Sequence, residues 1–223
     1  MFYEPDKNDH GLPFNPFKSI CVPRAIAWVS SLSRDGVPNL APFSQFTNVS
    51  YDPPHILFCP RGDTDTVRNI SETGEFVVNM ATWAMREAVN ATSAVVPPQV
   101  DEGALARLEM VPSRFVKPRR VAASPTQLEC KLYSIMLVPQ RHADRPCAIV
   151  IGRVIGVHIA DHALTPDGRI DVAKIRPLAR LGYLDYTSVE TMFTMPPPDG
   201  PNAERSARGL EGRPDMAVAA NAK

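Results

Sequence analysis

The stretch Arg24 to Leu32, RAIAWVSSL, constrains the chain most, because its β-branched and aromatic residues suit a pleated, half-buried surface. Arg34-Asp35-Gly36 then supplies a turn, and VPNLAPFSQFTNVS resumes the extended pattern, so the two runs predict a β-hairpin. Asp52-Pro53-Pro54 breaks the chain before HILFCP, a short apolar strand. From Asp65 the period becomes helical: Val67 and Ile70 lie three apart on one face, and Gly74 ends the helix. Glu75 to Met80, EFVVNM, is the next strand. Trp83 to Ala91 reads as a second helix with Thr82 as its N-cap. Ser93 to Pro125 is rich in proline and charge, with a short helix expected at Asp101 to Leu108.

Two long strands follow. In Gln127 to Val138, Leu128, Cys130, Leu132, Met136 and Val138 share one face. The other face carries Glu129 and Lys131, then apolar Tyr133, Ile135 and Leu137, as if one end is covered on both sides. In Cys147 to Ile159 an isoleucine-rich face is interrupted by Arg153, which needs a partner if that face is buried; a structural ion pair is expected rather than a ligand phosphate. Asp167-Gly168 marks another turn, and Val189 to Met195 reads as a last strand. Many strands and few helices argue for a mainly β chain, a barrel with peripheral helices. After Met195 the composition shifts to Pro, Ala, Gly and charge, with no aromatic residue. Such a segment buries too little apolar area to offset its ordering entropy. The expected organisation is therefore a domain over residues 1–195 and a tail over 196–223.

Composition closes off several functions. Lys and Arg total 24 and Asp and Glu total 24, so there is no basic excess to attract nucleic acid or anionic lipid. No apolar run reaches the ~18 residues of a membrane span. The N-terminal MFYEPDKNDHG lacks an apolar signal core, which predicts a cytoplasmic protein with free thiols. None of Cys21, Cys59, Cys130 and Cys147 forms a CxxC pair, and Cys130 and Cys147 read as core residues. His158 and His162 lie where strand passes into loop, so their spacing does not set them on one helix face, and no metal site is expected.

Two segments carry possible chemistry. The run Asn39 to Ser50 offers Ser44, Thr47, Asn48 and Ser50 among apolar residues, while Pro42 forces an edge or a bulge. Exposed amides beside short hydroxyls suit an uncharged, hydrogen-bonding ring such as an isoalloxazine. On composition alone, an ordinary edge strand explains the run better. Arg61-Gly62-Asp63-Thr64-Asp65-Thr66 precedes the helix at Val67, and a helix start with hydroxyls and an arginine is an anion site. The two aspartates count against a phosphate unless they face away, and taken alone a capped surface helix is the better account. Cys59 lies nearby, as a reactive thiol or, better, a buried one.

Taken in order, these segments resemble the flavin reductase-like family, whose fold is an FMN-binding, Greek-key split β-barrel. PRAIAWVSSLSRDGVPNLAPFSQFTNVSYDPPHILF resembles its first hairpin, DTVRNISETGEFVVNM its helix and following strand, and GRVIGVHIADHAL with PLARLGYLDY its C-terminal third. The likeness spans Pro23 to Pro196. It implies a homodimer with two FMN sites at the subunit interface. Ala41, Pro42, Phe43 and Ser44 would line the isoalloxazine, with Thr47, Asn48 and Ser50 at its edge and ribityl chain. Arg61, Thr64 and Thr66 would serve the phosphate. Arg180 and Tyr186 sit where the family's RLGG…Y stretch approaches the flavin, and Tyr183 replaces the second glycine, where a ring would fill part of the nicotinamide pocket. The implied activity is hydride transfer from NAD(P)H to FMN, a step that the cofactor carries and that needs no protein acid or base. Reduced flavin would then supply a monooxygenase. Two other readings stay open: a non-enzymatic FMN electron carrier, and a barrel that has lost flavin and serves as an interaction module.

Overall fold

The computed structural model describes residues 1–140 and 146–195, and in it the predicted hairpin acquires a corner. Strands β1 (Arg24–Ala25) and β2 (Ala27–Leu32) lead into the Arg34-Asp35-Gly36 turn and β3 (Pro38–Phe43). The run expected to continue as one strand bends at Ser44 and Gln45. It resumes as β4 (Phe46–Tyr51), then β5 (Pro54–Phe58), helix α1 (Asp65–Thr73) and β6 (Glu75–Met80). Helices α2 (Arg86–Ala91) and α3 (Glu102–Leu105) and strands β7 (Met110–Val111) and β8 (Arg120–Val121) follow. The long strands are β9 (Thr126–Val138) and β10 (Cys147–Ile159); α4 (Val172–Ile175), β11 (Leu178–Gly182) and β12 (Asp185–Ser188) complete the order.

Seven strands form one antiparallel sheet in the order β3-β2-β6-β9-β10-β5-β4. The corner at Ser44 and Gln45 therefore carries the chain from one edge of the sheet to the other, as a barrel requires. A three-stranded sheet, β1-β11-β12, stands beside it. This is the split barrel. Pro42 sits on β3, an edge strand, where a missing N–H removes no ladder bond.

Within the barrel, Phe58 and Phe76 are fully buried among Val29, Ile56, Val78, Cys130 and Val150. Outside it, Trp28 packs with Leu40, Val89 and Leu178, and its Nε1 donates to Thr92 Oγ1 at 2.8 Å. Each such ring contributes about 1.5–3 kcal/mol relative to an exposed one. Gly152 marks close packing across the barrel: a Cβ there would stand 2.9 Å from Phe76 Cε1. Helix α1 ends as its sequence dictates, with Thr64 Oγ1 accepting from Val67 N at 3.4 Å and Gly74 in the left-handed region at φ 71°.

Several expectations need correcting. Ala148, Val150 and Val154 alternate along β10 and face the core, which leaves Arg153 on the opposite side, exposed, with no burial to compensate; an extra residue bulges on each long strand, Tyr133 on β9 and Ile155 on β10. Glu129, expected on a charged face, is fully buried. Lys131 is exposed and pairs with Glu75. The far end of β9 is not covered on both sides within this chain: Tyr133, Met136 and Leu137 are more than half exposed. Trp83–Met85 is a 3-10 turn ahead of α2, and Thr82 makes no side-chain cap bond. Cys130 is a core residue, whereas Cys147 is only half-buried. The helix expected at Asp101 to Leu108 is shorter, α3, capped by Asp101 Oδ1 accepting from Ala104 N at 3.1 Å.

Residues Met1–Glu190 form one unit, and a second begins at Thr191. No strand forms over 189–195, because strand propensity without a neighbour to pair with makes no ladder. The predicted tail, 196–223, lies outside the described residues. Among the described residues, no helix is long and apolar enough to cross a membrane.

Candidate functional site

A cleft of about 510 Å³ opens between β3, the loop from β5 to α1, and the segment after α2. It brings together Ala41, Pro42, Phe43, Ser44, Arg61, Thr64 and Thr66, which lie far apart in sequence and were expected to act together. The edge position of β3 explains half of this. Leu40 turns its backbone N–H away from β2, donating to Glu102 Oε2 at 3.0 Å. Alternation puts the backbone of Pro42 on that same outward side.

The start of α1 supplies the other half. Thr64 Oγ1 caps the helix and donates to the Arg61 carbonyl at 3.2 Å. Thr66 Oγ1, 1% exposed, accepts from Asn39 Nδ2 at 3.0 Å and so ties α1 to β3. Asp65 pairs with Arg68, which answers one of the two aspartates; Asp63 still lines the cleft beside Arg61. Cys59 also lines it, but burial, with the nearby Cys147, pushes its thiol up and away from the reactive thiolate.

A second cleft of about 440 Å³ shares Pro42, Ser44 and Ser93 with the first and adds Arg180 and Tyr186. Arg180 donates to the Tyr186 hydroxyl, and its guanidinium stands 4.3 Å over the Tyr186 ring. The expected flavin-side pair thus adjoins the main cleft. Thr47, Asn48 and Ser50 line neither cleft. They sit on β4, with Thr47 and Asn48 exposed and Ser50 Oγ donating to the Pro53 carbonyl at 2.7 Å.

A family model described as a flavin reductase like domain matches residues 19–183. The chain belongs to the flavin reductase like domain family. A curated relative from Aquifex aeolicus is 36% identical over 172 residues, covering 75% of this chain and 85% of that one. Nitrilotriacetate monooxygenase component B from Bacillus cereus has a similar structure, with TM-score 0.81, 30% identity, and coverage of 87% of this chain and 98% of that chain. Flavoredoxin of Desulfovibrio vulgaris (Miyazaki F) shares the fold at TM-score 0.71 and 22% identity, covering 83% and 95%.

Tyr183, expected to fill part of a nicotinamide pocket, meets the N-terminal segment of this flavin reductase like domain. It lines neither cleft. Its hydroxyl donates to the Asn15 carbonyl at 3.0 Å, and its ring rests on Phe14 with centroids 5.6 Å apart. At φ 43° it occupies the left-handed region, a strain of about 1–3 kcal/mol that a glycine would not carry. Gly182 before it must be glycine: a Cβ would lie 2.6 Å from the Lys18 carbonyl oxygen.

The sequence reading missed Glu102 and the segment Thr92 to Val96, both of which line the main cleft. Nothing local marks the segment. Glu102 had one signal: it directly follows Asp101, the N-cap of a short helix, so that its side chain belongs to the first turn.

Proposed function

We propose that this flavin reductase like domain is an FMN-binding NAD(P)H:flavin reductase that works as a homodimer. The carrying observation is the single cleft of about 510 Å³ that assembles Ala41 to Ser44 from a sheet edge with Arg61, Thr64 and Thr66 from a helix start. Its chemistry suits the group. The outward carbonyl of Pro42 on the edge of β3 can accept from a ring N–H, the Ser44 hydroxyl can donate to a ring carbonyl, Phe43 offers an apolar face, and Arg61 offers the cation for a phosphate. When bound, FMN would supply the hydride-accepting chemistry itself. The protein's part is to hold the ring against β3, keep Arg61 at the phosphate end, and leave the Arg180–Tyr186 side open to a nicotinamide. Burial and the nearby Cys147 push the Cys59 thiol up, away from its reactive thiolate form.

Two features support dimerisation. The far end of β9 exposes Tyr133, Met136 and Leu137, and β10 exposes Val157 and Ile159. An apolar face of that kind on a sheet marks an interface. Thr47, Asn48 and Ser50 line neither of the two clefts, so in this reading they complete the partner's site. The 30% identity to the Bacillus cereus monooxygenase component B supports a monooxygenase as recipient of the reduced flavin. The four free thiols suit a reducing, cytoplasmic compartment.

The test is a titration of the purified protein with FMN, followed by NADH and NADPH. Flavin fluorescence should quench to about one FMN per chain, and the bound flavin should bleach on reductant with turnover. FMN binding without NAD(P)H oxidation would leave an electron carrier; no binding at micromolar protein would leave only a scaffold.

A further inference from the structure

Glu102 is 7% exposed at the wall of the main cleft, on α3, and takes the Leu40 N–H at 3.0 Å. Leu40 is next in the chain to Asn39, whose side chain bonds Thr66 at the start of α1. The carboxyl is thereby held beside the start of α1, where Thr66 and Asp65 stand. The groups that face it are Asp65 from α1 and Asp101 beside it on its own turn. Arg61 and Asp63 from the loop before α1, and the neutral Thr92 and Ser93, line the same cleft. Arg68 is committed to Asp65. Among the described residues lining the cleft, the charged ones are Arg61, Asp63, Asp65 and Glu102, with Asp65 paired to Arg68 outside the lining. Ionising Glu102 adds a negative charge to a wall that holds one cation, Arg61, against Asp63 and Asp65.

Resting on the FMN reading above, we propose that Glu102 makes binding of a phosphorylated flavin proton-coupled, its ionisation expelling FMN while sparing riboflavin. Two physical facts support it. A buried carboxylate beside a phosphate repels it through a medium less polar than water. Burial also pushes the Glu102 carboxyl above the usual carboxylate range, and Asp65 and Asp101 push it further in the same direction. A phosphate arriving beside it raises it again, so binding draws a proton from solution.

The experiment compares FMN and riboflavin affinities by fluorescence quenching from about pH 5 to about pH 9, in wild type and in Glu102→Gln. The glutamine keeps an acceptor for the Leu40 N–H and removes the charge. In wild type, FMN affinity should fall by about tenfold for each unit by which the bound carboxyl exceeds the free one, while riboflavin affinity stays level. In Glu102→Gln the fall should vanish, leaving only what the second ionisation of the FMN phosphate, near pH 6, contributes. Calorimetry of the wild-type protein in buffers of different ionisation enthalpy gives an independent readout: FMN should take up protons on binding and riboflavin none. An undiminished fall in Glu102→Gln, a parallel fall for riboflavin, or FMN binding without proton uptake would each overturn the proposal while leaving the flavin site intact. If neither flavin binds wild-type protein at any pH, the proposed function fails first and this inference with it.

Discussion

His158 Nε2 lies 2.5 Å from Oε1 of Glu129, a carboxylate with no exposed surface. The same carboxylate accepts from the backbone N–H groups of Arg114 at 2.7 Å, Phe115 at 2.6 Å and Val116 at 3.2 Å. One side chain on β9 therefore fastens the irregular segment between β7 and β8 to the sheet. Glu129→Ala strands buried donors and should cost about 3 kcal/mol or more, read as a lower urea midpoint. Glu129→Gln, which keeps one acceptor, should cost less.

Acid should weaken the same clamp. Burial pushes the Glu129 carboxyl up, but the Arg114 N–H, His158 and the Phe115 N–H outweigh it and hold the group below its ordinary value. Its stabilisation is complete above the unfolded carboxyl range and is lost as pH falls through the depressed folded value. Denaturant midpoints of wild type should drop across that acid window. Glu129→Gln, already weaker at neutral pH, should show a smaller drop. Equal drops would move the effect to another carboxyl, of which Glu75, also held low against Lys131, is the first to test.

Arg61→Ala separates the phosphate from the ring. Loss of a charged hydrogen bond of about 1.5–3 kcal/mol predicts at least tenfold weaker FMN binding, with riboflavin unchanged. Equal weakening of both flavins would place Arg61 at the ring instead.

Tyr183 should act through the N-terminal arm. Tyr183→Phe removes the bond to the Asn15 carbonyl and should cost about 1 kcal/mol, with faster tryptic cleavage at Lys18 and little change in reductant KM. A KM change without faster cleavage would return Tyr183 to the nicotinamide side.

Leu137→Asp tests the exposed end of β9. A charge placed in an apolar interface should shift light scattering toward the monomer mass, and FMN saturation should weaken with it. A variant that stays dimeric would move the interface to another face.

What was legible was local. RAIAWVSSL with Arg34-Asp35-Gly36 carries its own hairpin, and Thr64 with Gly74 marks both ends of α1. The corner at Ser44 and Gln45 did leave a trace: Phe43 and Phe46 both pack on the core although they lie three apart, a spacing no single strand allows. The burial of Glu129 left none, because its partners lie about fifteen residues away in a segment without periodicity. The cleft residues on β3 and α1 were readable only through the family resemblance. Glu102 escaped both routes, since its importance arises where α3 meets β3.

Gly152 and Phe76 belong to strands that are not neighbours in the sheet, yet each fixes what the other is permitted to be. A methyl at 152 collides unless 76 is trimmed, and trimming 76 alone leaves a hole of the kind that costs several kcal/mol, roughly 3–5 for Phe to Ala. Single-step drift at either site is therefore closed, and change has to arrive at both together. A deep mutational scan should show the two positions nearly intolerant singly, with rescue confined to the paired substitution of a small residue at 152 and a shorter apolar one at 76.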